Sequence, residues 1–329
     1  MNIYDISKQA GVSIATVSRV LNNSSHVSEK TRKRVLEVME SCGYTPNAFA
    51  RGLGLNTMKT VGILCADASD IYLANAIYVV ETELQNRGYN SFLCCTGYDL
   101  QKKKIDLDLL LSKRVDAVIL IGSNYVEKDH KDNDYIIAAS KQVPVMIING
   151  YLEANRVYCC LTDDYQATYD ITHKLIKKGA KHLIYLYRSE SYSGRQKLKG
   201  FIDAFAFCNT CSHEELRSYG EVIDTINVLE TNKMGLDVDA IICSDDEIAI
   251  GALKWANQHN IKVPKDLSIV GYNNSKYAKL STPELTSIDN HGDVICRNIV
   301  NMLIQVFNNE NVPRKTIISC DFVERETTR

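Results

Sequence analysis

The sequence offers few groups at spacings that could do chemistry. Cys208 and Cys211 form a Cys-x-x-Cys pair with His213 close behind, the spacing of a metal half-site or a dithiol. No second pair completes a tetrahedral site, and no redox-type strand turn adjoins it. Neither a metal nor a redox role is therefore expected. The chain holds no GxSxG elbow, no paired acid and base at a recognisable interval, and no GxGxxG or GxxxxGK[ST] string, so nucleophilic catalysis and phosphate-loop nucleotide binding find no support. What remains is charge. Residues 1–59 carry eight Lys and Arg against four acids, whereas the whole 329-residue chain is −2. A head of +4 on a body of −6 points to a polyanion met by the head alone.

The elements that would position this head follow from spacing. Ile3, Ile6 and Ala10 share one face of a short helix that stops at Gly11. Ser13 can cap a second helix, buried through Val17, Val20 and Leu21 and ended by Asn22 and Asn23. A third starts at the cap Ser28 and runs to Cys42, with Val35, Val38, Met39 and Cys42 inward. Two helices joined by a turn of about three residues containing Gly make a helix-turn-helix, whose second helix fits a major groove.

From Lys59 onward short apolar runs alternate with amphipathic stretches. Strands are expected at Thr60–Cys65, Asn90–Cys95, Ala117–Ile121, Val145–Ile148, His182–Tyr187, Ala240–Cys243 and Ser268–Gly271, with helices such as Tyr165–Lys178 and Glu247–His259 between them. Such alternation means parallel sheets and right-handed crossovers, with ligands at the carboxyl ends of the strands. At 45% hydrophobic, 24% charged and 5 Pro, the composition is that of a globular protein and excludes disorder and collagen-like structure. Apolar runs are strand-sized and the first residues lack a signal-peptide layout, so a cytoplasmic protein without a membrane segment is expected. Eleven scattered Cys, Cys65, Cys94, Cys95 and Cys243 among them, read as buried thiols in a reducing compartment. His173 and Trp255 read as packing residues.

Particular strings go further. AGVS, ATVSRVLN, VSEKTRKRV and GYTPNAFARGL, in this order and spacing, resemble the headpiece and hinge of the lactose-repressor (LacI/GalR) family of bacterial transcription regulators, and the similarity continues over essentially the whole chain. The resemblance implies an N-terminal all-α helix-turn-helix headpiece plus an α/β periplasmic-binding-protein-like (type I) core of two doubly wound lobes. It implies a headpiece over 1–45, a hinge helix and linker over 46–58, and an effector-binding and dimerisation core of two interleaved lobes over 59–329. The function implied is that of a sequence-specific regulator, a repressor rather than an enzyme, binding a near-palindromic double-stranded operator as a homodimer. It would be gated by a small molecule, with no cofactor.

By the same resemblance, Ile14 and Ala15 face base edges and, lacking hydrogen-bonding groups, read shape and thymine methyls, while Arg19 reaches a guanine. Ser13, Thr16, Ser18, Asn22 and His26 look like phosphate anchors. Asn47, Ala50 and Leu53 belong to a hinge of about two turns, too short to be a stable helix alone. Leu53 would wedge into the minor groove at an easily unstacked pyrimidine-purine step. At the strand ends Tyr72, Asn149, Lys197, Asp245 and Asn273 occupy the family's effector positions. All stay polar, but Lys197 replaces an Arg, and Asp245-Asp246 and Asn273-Asn274 stand where Asn-Asp and Asp-Asp are usual. A carbohydrate is the implied effector, with Tyr72 able to stack on a sugar face. The alternatives are a purine-like metabolite, a protein corepressor, or no small ligand. No heptad tail follows Arg329, so the expected assembly is a dimer.

Overall fold

The structure, a computed structural model, describes residues 2–21, 24–44, 57–232 and 237–329. By backbone proximity the chain divides into one unit of residues 1–60 with 114–116 and a second of 61–113 with 117–329.

In the first unit, α1 (Ile3–Gln9), α2 (Ile14–Leu21) and α3 (Glu29–Ser41) follow the expected order. Asn2 caps α1 and shares a capping box with Asp5. Gly11 turns the chain at φ +61, where a side chain would be strained. Ser28 caps α3 through the Thr31 amide. Ile6, Ala10, Val17, Val20, Val27, Val35 and Met39 form the core, with Leu21, Val38 and Cys42 half-buried around it.

The second unit has two six-stranded sheets. The first comprises β1 (Thr60–Cys65), β2 (Asn90–Cys95), β3 (Ala117–Ile121), β4 (Val145–Ile148), β5 (Val157–Thr162) and, from far downstream, β11 (Lys315–Ile318). Its order is β11-β5-β4-β3-β1-β2. The second sheet comprises β6 (His182–Tyr187), β7 (Ser212–Arg217), β8 (Ala240–Cys243), β9 (Ser268–Tyr272), β10 (Thr286–Asp289) and β12 (Asp321–Val323), in the order β12-β10-β9-β8-β6-β7. β12 is antiparallel to β10, whereas β6, β7, β8, β9 and β10 pair in parallel.

Between the strands run α4 (Ile71–Gln85), α5 (Leu100–Ser112), α6 (Asp134–Ser140), α7 (Asp164–Lys177), α8 (Tyr192–Asp203), α9 (Val222–Thr231), α10 (Asp246–Gln258), α11 (Lys276–Leu280) and α12 (Gly292–Phe307). Both faces of each sheet are therefore covered, which is why the inner strands are continuous apolar runs. In β6, Leu183 and Tyr185 pack with Phe201 of α8, while Ile184 and Leu186 pack with Trp255 of α10. The chain passes between the lobes after β5, after β10 and after β11.

One contact explains a glycine. A methyl group at Gly200 would lie 2.2 Å from the Tyr165 carbonyl oxygen, so the backbones of α7 and α8 approach closely only because this residue has no side chain.

Two cysteine expectations need correction. Cys94 is half-buried and Cys95 exposed, because β2 is the edge strand of its sheet. Cys208 and Cys211 are joined in a disulfide across a Cα–Cα separation of 5.5 Å, within bridging range, so this pair is not two free thiols. Trp255 lies in the core as expected, and the half-buried His173 ring packs 5.7 Å from Tyr169. Among the described residues no group of three or more His, Cys, Asp or Glu could hold a metal ion, and no helix is long and apolar enough to cross a membrane.

Candidate functional site

On α2 the buried stripe of Val17 and Val20 leaves the opposite face open. Ser13, Ile14, Ala15 and Arg19 are exposed, with Thr16 and Ser18 half-buried. Ser13 Oγ accepts the Thr16 amide at 3.2 Å and lies 2.9 Å from Thr16 Oγ1, capping the helix as its position requires. Ile14, 39% exposed, is an apolar side chain left outside the headpiece core. Arg19 forms no ion pair among the described residues, and His26 is exposed on the following turn. Arg32 of α3 faces inward instead, donating to the Ser24 carbonyl at 2.7 Å. Asn22, Asn47, Ala50 and Leu53 lie outside the described residues.

The five expected effector residues meet in the second unit, Asn149 and Asn273 directly after β4 and β9, Asp245 between β8 and α10, and Tyr72 and Lys197 on α4 and α8. Tyr72, Asn149, Lys197, Asp245 and Asn273 line one cavity of about 130 Å³ between the sheets, and it adjoins a wider mouth of about 650 Å³. Asn149 ends β4 at φ +59 and Asn273 ends β9 at φ +91, left-handed backbone that Asn tolerates better than most residues. Asn149 Nδ2 donates to Tyr72 Oη at 2.5 Å, whereas Asn149 Oδ1 is buried without a hydrogen-bond partner among the described residues. An orphaned buried acceptor carries a desolvation penalty of about 1–3 kcal/mol until something donates to it. Asn273 Oδ1 accepts from Asn290 Nδ2 at 2.9 Å.

Lys197 is buried, donating from Nζ to the Ser244 carbonyl at 3.0 Å and sitting 3.5 Å from the Tyr272 ring centre. Burial pushes its pKa down against the pull of Asp164 and Asp245. Tyr272 in turn donates to Asp164 Oδ1 at 2.6 Å. The neighbouring Asp246 is buried under Ser287 Oγ and the Ser275 amide, both at 2.6 Å. Burial raises its carboxyl to about 6.

The most connected group in the cleft is one the sequence reading did not select, Arg188, the residue immediately after β6. Its Nε and Nη2 reach Asp245 at 3.2 and 3.3 Å, Nη2 reaches Glu247 at 3.0 Å and the Gly220 carbonyl at 3.3 Å, and Nη1 reaches Asp70 at 3.3 Å. Asp245 caps α10 through the Ile248 amide and Asp70 caps α4 through the Leu73 amide, at 3.0 and 2.9 Å. Two helix starts on opposite lobes are thus joined through one guanidinium. Burial opposes its charge, and Asp245, Glu247 and Asp70 outweigh that and hold it protonated above its ordinary range. Beside it, Ser123 Oγ donates across the cleft to Ser191 Oγ at 2.9 Å. The strand-end rule that pointed to Asn149 and Asp245 also marks Arg188.

Residues 2–47 match the family model described as bacterial regulatory proteins, lacI family, and residues 172–328 match a periplasmic binding protein-like domain. A curated HTH-type transcriptional regulator of Lachnoclostridium phytofermentans is 52% identical, covering 100% of this chain and 99% of that protein. Catabolite control protein A of Staphylococcus epidermidis is 30% identical, over 100% of this chain and 99% of the other. Among solved structures, the lac repressor dimer bound to operator and the anti-inducer ONPF superposes with a TM-score of 0.88 at 22% identity, covering 100% and 99% of the two chains. That likeness speaks to fold, and the 52% relative, with the two family matches, carries the assignment. The chain belongs to the lacI family of bacterial regulatory proteins and is a helix-turn-helix DNA-binding regulator of transcription, not an enzyme.

Proposed function

We propose that this regulator is a repressor that binds a near-palindromic operator as a homodimer and is gated by a carbohydrate held between the lobes of its core. In this reading residues 1–45 are the headpiece, 46–58 the hinge and 59–329 the effector-binding and dimerisation core. Ile14 and Ala15 meet base edges by shape and by contact with thymine methyls, and Arg19 forks onto a guanine. Ser13, Thr16, Ser18, Asn22 and His26 hold phosphates and set register. Asn47, Ala50 and Leu53 act from the hinge in the minor groove. Tyr72, Asn149, Lys197, Asp245 and Asn273 contact the effector.

The observation that carries the effector half is the convergence of these five polar side chains, from both lobes, on one cavity that contains an unpartnered acceptor. A polyhydroxylated ligand supplies the missing donor, and a ligand touching both lobes favours one lobe arrangement over another. Coupling of ~1–3 kcal/mol then changes operator affinity by about 5- to 150-fold, and its sign separates induction from corepression.

The test is a gel shift of the full chain on DNA upstream of its own gene, with and without sugars. Sequence-specific retention altered by a pentose, hexose or disaccharide supports the reading. Arg19→Ala should cost roughly 1–3 kcal/mol of discrimination at a single base pair. Retention indifferent to sequence, or unmoved by Arg19→Ala, would refute the DNA-reading assignment.

A further inference from the structure

Two side-chain bonds run directly from one lobe of the core to the other. Arg188 Nη1 of the second lobe donates to Asp70 Oδ2 of the first at 3.3 Å, and Ser123 Oγ of the first donates to Ser191 Oγ of the second at 2.9 Å. Both bonds end on helix caps. Asp70 gives its other oxygen to the Leu73 amide at the start of α4, and Ser191 Oγ also accepts the Gly194 amide in the first turn of α8, at 2.9 and 3.2 Å. A side chain already held by its cap gives up little further freedom when it is bonded from across the cleft. Asp70, Arg188 and Ser191 line both the inner cavity and the mouth, so these bonds stand at the neck between the two.

The contacts of Arg188 are unequal in kind. Asp245, Glu247 and the Gly220 carbonyl belong to its own lobe, and Asp70 to the other. If the lobes part, the guanidinium keeps two carboxylates and a carbonyl, and Asp70 and Ser191 keep their caps. No charge is then left buried and unpaired, which is what makes breaking most buried ion pairs expensive. The bond across the cleft can therefore be made and broken at modest cost.

We propose that the Arg188–Asp70 and Ser123–Ser191 bonds form a latch that holds the lobes together at the neck of the cleft and so sets operator affinity before any effector arrives. This rests on the reading above that lobe arrangement controls operator affinity, and adds to it a contribution made by the chain itself. A partly exposed ion pair and one hydroxyl bond together weight the closed arrangement by roughly tenfold. A ligand that touches both lobes favours that same arrangement, so latch and effector push in one direction. A latched chain takes its ligand more tightly and responds to it with a smaller change in operator affinity than a chain without the latch.

The experiment compares the full chain with the double variant Asp70→Asn, Ser123→Ala and with Glu247→Gln. Asn at position 70 keeps an N-cap and Ser191 keeps its own, so both helix starts survive the double change. Glu247→Gln is the control, because it takes a partner from Arg188 within one lobe. Small-angle X-ray scattering without DNA reads the lobe arrangement. Fluorescence anisotropy on the upstream duplex reads operator affinity, with and without whichever of glucose, xylose and maltose most raises the Tm of the parent. The double variant should scatter as a more open particle. Its operator affinity without sugar should shift by up to about tenfold, in the direction opposite to the sugar's effect, and the sugar should bind it more weakly while moving operator affinity further. Ser123→Ala alone, the gentler change, should shift each quantity the same way by less, and Glu247→Gln should match the parent. Scattering unchanged in both latch variants, or Glu247→Gln opening as far as they do, overturns the latch and leaves effector gating standing. Lobes that open while operator affinity stays fixed, with the sugar still moving the parent's affinity, overturn its regulatory role. Operator affinity that no sugar moves in any of these proteins removes the gating reading, and this inference falls with it.

Discussion

Deleting Arg188 should harm the fold more than deleting any one of its partners, and the structure says by roughly how much. At about 4 Å and an effective dielectric of about 20, each guanidinium–carboxylate pair has a gross attraction of about 4 kcal/mol. Arg188 makes three such pairs, to Asp245, Glu247 and Asp70, with its side chain 29% exposed. Solvent screening and desolvation remove most of that attraction. Arg188→Ala nevertheless leaves three carboxylates facing one another, and the net loss should be about 2–3 kcal/mol, a fall in Tm of roughly 4–10 °C. Asp245→Asn and Asp70→Asn keep their helix caps and the other two pairs, so each should lose about 1 kcal/mol or less. The decisive quantity is the coupling. Arg188→Ala combined with Asp245→Asn should be more stable than the sum of the single losses by at least about 1 kcal/mol, because the second change relieves repulsion that the first exposed. Urea denaturation followed by circular dichroism, on all four proteins in one buffer, measures this. Additivity within about 0.5 kcal/mol, or an Arg188→Ala protein as stable as the parent, would show that the cluster is solvated and that the cross-lobe clasp has no energetic content.

Other predictions are independent of that cluster. Asp246, with its carboxyl raised to about 6, holds a proton in the folded state over a pH range in which the unfolded chain has released it. Stability should therefore fall as pH rises from roughly 4 to about 6, by at most about 3 kcal/mol. Asp246→Asn should flatten thermal melts recorded across that range, and an undiminished slope would assign it to other groups. Gly200→Ala would ordinarily gain up to about 1 kcal/mol of helix propensity. Here the contact with the Tyr165 carbonyl should reverse the sign to a loss of about 1–3 kcal/mol, which a melt at neutral pH reads directly. Tyr72→Phe removes the oxygen that accepts Asn149 Nδ2 and leaves both ends of a buried amide unpaired. It should destabilise by about 1–3 kcal/mol and weaken the effector that stabilises the parent, and equal thermal shifts for both proteins would contradict the cavity's role.

What could be read in the sequence depended on how local the determining forces were. The headpiece was legible because Ile6, Val17, Val20 and Val35 sit at helical intervals and Ser13 and Ser28 are side-chain caps, all set within a few residues. The Asn2–Asp5 capping box escaped because it uses Asp where the familiar pattern has Glu or Gln. The inner apolar strands were legible because burial on both faces leaves no alternation, whereas β2, NSFLCC, was legible as an apolar run although it lies exposed at the sheet edge. Those not anticipated are of other kinds. β7, SHEELR, is a polar edge strand, while β10, β11 and β12 are three or four residues long. β11 and β12 take their pairing from partners remote in sequence or in the returning chain, Lys315 opposite Cys159 and Val323 opposite Ser287. β5, VYCCLT, is buried but mixed in type. In the cleft, Asn149, Asp245 and Asn273 stand just past strands where ligands are expected, whereas Tyr72 and Lys197, which lie on helices, were reachable through the family resemblance. Arg188 could not be weighed from sequence, since its importance lies in Asp70 being brought from the opposite lobe.

The central claim is that a helix-turn-helix unit reads DNA under control of the inter-lobe cleft. Its most direct test is a fluorescence-anisotropy titration of the full chain on a labelled near-palindromic duplex from its own upstream region and on a scrambled duplex at the same salt, with and without the stabilising sugar. The account predicts two chains per palindrome, a preference of roughly a thousandfold or more for the native sequence, and a change of about 5- to 150-fold when the sugar is added. Equal affinity for both duplexes, or native-sequence affinity that no cleft ligand moves, would contradict it.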